Sequence, residues 1–180
     1  MASRGDVLSK ILKPYRPDVL MLSMIANGTT TNSGDEYDLD IGDDTVFAVQ
    51  ASRGSSISLD SADDHKLNLA AGLYEINFNG WVQTSSSING SLDYQFKASS
   101  MPIFAFSDVA FDRMILTYST SPDSTIAIID PSHTTLYNAR SATTIYFRIS
   151  LNSGSTWFLR GDATSVLTTL QITRISGATQ

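Results

Sequence analysis

The 180-residue chain contains no cysteine and only two histidines, and lysine and glutamate are scarce. Without cysteine there is no disulfide and no thiolate metal site, so a small disulfide-stapled secreted domain is excluded. Two histidines, His65 and His133, leave little from which to build a catalytic centre. Exposed helical faces draw on Glu, Lys, Leu and Ala. Here Ser and Thr supply roughly a quarter of the residues, a balance that favours strands and turns. No apolar run approaches the roughly 20 residues that cross a bilayer, so no membrane partner is expected. Residues 19–25 are apolar but short, and Pro14 and Pro17 interrupt what precedes them. A signal peptide is therefore not expected, and synthesis in the cytoplasm is.

What is present is compatible with one folded domain. Hydrophobic residues make up 42% of the chain, with a formal net charge of −6 and a pI near 4.6. That content rules out global disorder, and an acidic body disfavours nucleic acid as a partner.

Residues 1–25 read as an N-terminal arm. Ser3 can cap a short helix with Asp6 at the capping-box position. Val7, Leu8, Ile11, Leu12 and Tyr15 then share one face at helical spacing, and Pro14 is the stop signal. An extended apolar piece follows, carrying Val19, Leu20, Leu22 and Ile25. Arg4, Lys10, Lys13 and Arg16 make the arm mildly basic. Residues 26–44 are polar, acidic and Gly-containing, and read as a linker. From residue 45 to 180, short apolar runs alternate with turn signals, as in a sandwich or barrel.

The clearest strand is residues 72–83. Tyr74, Ile76, Phe78 and Val82 share one side, while Leu73, Glu75, Asn77, Asn79 and Trp81 share the other. A strand buried on one side and partly apolar on the other suggests a sheet that packs against something outside its domain. Asn89-Gly90 predicts a hairpin turn after it. Residues 143–151 place Ile145, Phe147, Ile149 and Leu151 inward, with Tyr146 and Arg148 outward. The last strand turns Leu170 and Ile172 to the core. Eight to ten strands in roughly 135 residues suit an all-β, two-sheet jelly roll.

Two segments resemble a known family. The run from His65 through Gly72-Leu73-Tyr74 to Phe78 is similar to the "Leu…Gly-Leu-Tyr" junction between two main strands of C1q/TNF-like domains. Leu167 to Ile175 resembles the final strand of the bacterial and phage members. The likeness covers about residues 45–180, and no collagen-like stalk accompanies it. It implies a jelly-roll homotrimer packed around a threefold axis. Leu73, Trp81, Tyr146 and Arg148 are then candidates for the trimer interface, since partly exposed aromatics anchor such contacts.

Enzymatic motifs are missing. Asp130, Ser132 and His133 lie close in sequence, which does not create triad geometry. There is no G-x-S-x-G elbow, phosphate loop or zinc-protease signature, so neither catalysis nor a cofactor is expected. The acidic run 35–44 departs from the EF-hand pattern at Gly42 and Val49 and reads as solvated charge, with no metal expected. Arg4–Asp6 and Arg160–Asp162 each spell Arg-Gly-Asp, and Asn27 and Asn89 begin sequons. All four read as coincidence in a chain made in the cytoplasm.

The functional expectation is a structural virion protein: a homotrimeric decoration (cement) protein on a bacteriophage head. Its partner would be the major capsid protein, gripped by Val7, Leu8, Ile11, Leu12, Val19, Leu20, Leu22 and Ile25. The alternative is a trimeric receptor- or glycan-binding module. In that case Tyr118, Tyr137 and Trp157 would stack on sugars, with Asp108, Asp112 or Asn152 donating or accepting hydrogen bonds.

Overall fold

A computed structural model describes residues 16–84, 89–98, 109–119, 128–129, 132–152 and 156–177. Fourteen strands run through them, and alternation of apolar and polar residues sets most. They are β1 (Val19–Met24), β2 (Glu36–Asp38), β3 (Phe47–Arg53), β4 (Ile57–Leu59), β5 (Lys66–Leu69), β6 (Gly72–Asn79) and β7 (Val82–Thr84). The second half holds β8 (Asn89–Ala98), β9 (Val109–Ser119), β10 (Ile128–Ile129), β11 (Ser132–Ala139), β12 (Thr143–Asn152), β13 (Trp157–Leu159) and β14 (Thr169–Gly177).

One sheet has five strands in the order β11-β6-β14-β1-β3, antiparallel throughout. A second runs β4-β5-β12-β8-β9, with β2 also paired to β12. A small third sheet, β10-β7-β13, joins the sandwich. The chain crosses between the two large sheets at residues 70–71, between β5 and β6. These crossings wind the strands into an all-β jelly-roll sandwich, as the sequence leads one to expect.

The core lies between the sheets. Leu20, Leu22, Met24, Tyr74, Ile76, Phe78, Leu170 and Ile172 come from one sheet; Leu67, Leu69, Ile145, Phe147, Ile149 and Leu151 come from the other.

Three expectations need correction. Residues 19–24 are an interior strand, hydrogen-bonded to β14 on one side and β3 on the other. Leu20 and Leu22 are buried in the core, so they cannot grip a partner, and Val19 and Ile25 are built into the same sheet region. Any separable arm ends before residue 17; Val7, Leu8, Ile11 and Leu12 lie outside the described residues. Next, the segment 26–44 is no linker, because Tyr37, Leu39 and Ile41 are buried in the core and β2 extends the second sheet. Its charged composition hid three inward apolar positions. Finally, Asn89-Gly90 opens β8, paired to Tyr118 and Ser119 of β9, and β7 belongs to a different sheet.

Candidate functional site

The outer face of the five-stranded sheet is built by strict alternation. Tyr74, Ile76 and Phe78 point into the core, so Leu73, Glu75, Asn77 and Asn79 point out. Directly opposed residues of an antiparallel pair share a face, and the register therefore assembles rows across the sheet. One row is Ser132, Asn79, Thr169 and Ser23. The next is Thr134, Asn77, Gln171 and Met21. The third is Leu136, Glu75, Thr173 and Val19.

Short polar side chains on this face bond to one another. Ser132 Oγ donates to Asn79 Oδ1 at 2.6 Å, and Thr134 Oγ1 donates to Asn77 Oδ1 at 2.5 Å. Asn77 Nδ2 then donates to Glu75 Oε1 at 3.0 Å. Gln171 Nε2 reaches Thr173 Oγ1 at 3.3 Å, and Gln50 Nε2 reaches Ser23 Oγ at 2.7 Å. Leu136 stands out of this polar field with 61% of its surface exposed. Glu75 is the only charged side chain in the three rows across β11, β6, β14 and β1; Arg53 extends the third row onto the edge strand β3. A broad, nearly uncharged face with an exposed apolar side chain on its edge strand can pack against a surface like itself.

Of the residues expected at an interface, only Leu73 lies on this face, paired with Asn138. Trp81 follows β6 at the sandwich end, where its carbonyl accepts from Arg160 N–H at 2.7 Å. The Arg160 guanidinium sits 5.9 Å from its ring centroid, and Trp81 is half-buried. Tyr146 and Arg148 belong to β12, in the opposite large sheet. Tyr146 is buried within the subunit, 4% exposed, and the Arg148 guanidinium lies 5.5 Å from its ring centroid. Arg148 itself is held by Asp38, through Nε to Oδ1 at 2.6 Å and Nη2 to Oδ2 at 2.8 Å, and by Glu36. Hydrogen bonding to Asp38 holds its proton more tightly than usual. This ion cluster fastens β2 to β12 and is no free contact surface.

The acidic segment is engaged in the same way. Asp40 Oδ2 accepts from the Tyr37 hydroxyl at 2.8 Å, and Asp40 Oδ1 lies 3.0 Å from His65 Nδ1. Burial, and secondarily the Asp40 hydrogen bond, pushes the Tyr37 phenol well above its usual range. Asp43 Oδ1 accepts from Thr45 N–H and Oγ1, which lowers its carboxyl. Among the described residues no group of three or more His, Asp or Glu is arranged to hold a metal ion. The Arg160–Asp162 tripeptide is pinned: a Cβ at Gly161 would lie 2.1 Å from Ala26 O, and Asp162 caps Thr164.

Trp157, a candidate sugar platform, is fully buried. Its Nε1 donates to Asn32 O at 3.2 Å, and its ring meets Tyr37 edge-on at 6.4 Å. Tyr137 is half-buried. The side chains of Tyr118, Asp112 and Asn152, and all of Asp108, lie outside the described residues.

No protein-family model matches the chain, and no curated protein sequence matches it. Solved structures do. Murine APRIL, crystallised at pH 5.0, aligns with a TM-score of 0.58 at 12% identity, covering 89% of this chain and 100% of that one. The pH 8.0 structure of murine APRIL aligns at 0.57 and 11% identity over the same shares. The Eiger TNF of S. frugiperda aligns at 0.58 and 11% identity, covering 92% of this chain and 97% of that one. The chain thus has the TNF-like jelly-roll fold.

Proposed function

We propose that this chain is a non-enzymatic assembly protein. It forms a homotrimer through the outer face of the five-stranded sheet and decorates a bacteriophage head, bound to the major capsid protein. The observation that carries the self-association is the composition of that face. It spans four strands, carries one charge, and presents the exposed Leu136 on its edge strand β11. A solvent-facing sheet surface ordinarily carries many charged residues, whereas surfaces buried between subunits are depleted of them. The occupant is a second copy, because the C1q/TNF resemblance implies trimers and a neutral face is complementary to itself. The capsid role and the virion location rest on the sequence reading: a thiol-free Ser/Thr-rich β domain and a basic segment ahead of an acidic body. The alternative glycan-binding reading loses its indole platform, since Trp157 is buried.

Size-exclusion chromatography with light scattering tests the first part, with three chains expected at micromolar concentration and a monomer refuting it. For the second part, deletion should stop at residue 15 and spare β1. A protein starting at Arg16 should remain a folded trimer yet fail to bind capsids. Undiminished capsid binding would refute the tether.

A further inference from the structure

We infer that Glu75 sets the strength of self-association, as a charge that opposes it. This rests on the reading that copies meet through the outer face of the five-stranded sheet.

Glu75 is one of only two glutamates in the chain. The other, Glu36, is neutralised by Arg148. Among the described residues no ion pair joins Glu75 to a cation. It stands at the middle of β6, half-buried, with Leu136 beside it on β11 and Thr173 beside it on β14. Its carboxylate accepts from a neutral amide, Asn77 Nδ2, whose own oxygen is occupied by Thr134 Oγ1. The outward residues of β11 (Ser132, Thr134, Leu136, Asn138), β14 (Thr169, Gln171, Thr173) and β1 (Val19, Met21, Ser23) include no ionisable group. Arg53 continues the Glu75 row at the far edge strand β3, and its Nε and Nη2 are turned to Pro17 O at 2.8 and 2.6 Å. Arg174 of β14 donates instead to Ser56 Oγ and Ala71 O.

Association through this face therefore takes a carboxylate out of water in every copy and sets it among neutral groups. A charge desolvated without a counter-charge is costly. Rotational symmetry adds to the cost by bringing equivalent carboxylates toward one axis, where like charges repel. Around it, Leu136, Met21, Val19 and the bonded amides and hydroxyls all favour or tolerate contact. Glu75 alone resists it.

Glu75→Gln tests the inference directly, because the amide oxygen keeps the Asn77 contact and removes only the charge. Sedimentation-equilibrium dilution series at neutral pH should show Glu75→Gln assembling at a concentration at least about tenfold lower than the wild type, about 2.8 kcal/mol per trimer because the monomer–trimer constant varies as the square of concentration. Equal midpoints for wild type and Glu75→Gln would overturn the inference while the assembly reading stands. Weaker assembly by Glu75→Gln would overturn it too, showing that Glu75 meets a cation of the neighbouring copy. Monomers at every concentration in both proteins would instead overturn the assembly reading.

Discussion

Truncating Leu22 to alanine separates an interior β1 from a detachable arm. Leu22 is 1% exposed, at the centre of a strand bonded on both sides, and lies in the same core as Phe47, Ile76 and Leu170. Removing its isobutyl group loses transfer free energy and leaves a cavity that a two-sheet core closes poorly. Buried Leu-to-Ala changes cost about 2–5 kcal/mol, and the tight flanking of β1 by β14 and β3 places this one near the middle, about 3 kcal/mol. For a domain of this size each kcal/mol lowers the melting temperature by about 2–4 °C, giving a drop of about 6–12 °C. Thermal and urea unfolding by far-UV circular dichroism measure it. Protein concentration must be held fixed, since oligomerisation couples to stability. Val49→Ala serves as the comparison: Val49 is half exposed on the edge strand β3 and should cost about 0.5 kcal/mol or less. A Leu22→Ala loss below about 1 kcal/mol would contradict an interior β1 and return residues 17–25 to an arm.

Three other outcomes follow from local geometry. Tyr37 keeps its proton in the fold at pH values where the unfolded chain loses it, so its contribution is complete below about pH 10 and lost as the pH rises beyond. Tyr37→Phe should flatten that alkaline decline in a stability–pH curve, at the expense of the Asp40 hydrogen bond; an unchanged decline argues against it. Arg148→Ala should destabilise by about 1–2 kcal/mol by stranding Asp38 and Glu36, and adding Asp38→Ala should cost little more in a double-mutant cycle. Gly161→Ala places a Cβ 2.1 Å from the Ala26 carbonyl oxygen, so the backbone must move, at about 1–3 kcal/mol; wild-type unfolding would refute that contact.

The sandwich was legible because its long strands alternate cleanly. Tyr74, Ile76 and Phe78, then Ile145, Phe147, Ile149 and Leu151, then Leu170 and Ile172 all fall on the core side as read from sequence. Residues 26–44 were not, because Tyr37, Leu39 and Ile41 alternate with carboxylates that look solvated. In the fold those carboxylates are bonded to Arg148, His65, Thr45 and the Tyr37 hydroxyl. The interface candidates are spread over the fold for another reason. Aromatic size singles out Trp81, half-buried at the sandwich end, and Tyr146, buried in the opposite sheet, while the outer face of the five-stranded sheet is made largely of Thr, Asn, Gln and Ser. Of the four candidates, Leu73 lies on that face. The usable signal was the alternation of Thr169, Gln171 and Thr173 with Leu170 and Ile172. Strand order was needed to set Leu136 and Asn77 beside it, and pairing of distant strands is not written in local periodicity.

The central claim is that copies meet through the outer face of the five-stranded sheet. The most direct measurement is the mass in solution of wild type and Leu136→Arg by light scattering at equal micromolar concentration. A new charge on an exposed side chain should leave the fold intact by circular dichroism and disfavour burial of the face. A wild-type trimer and a folded Leu136→Arg monomer are the predicted results. A trimer that survives Leu136→Arg unchanged, or a wild type that never associates, would contradict the claim.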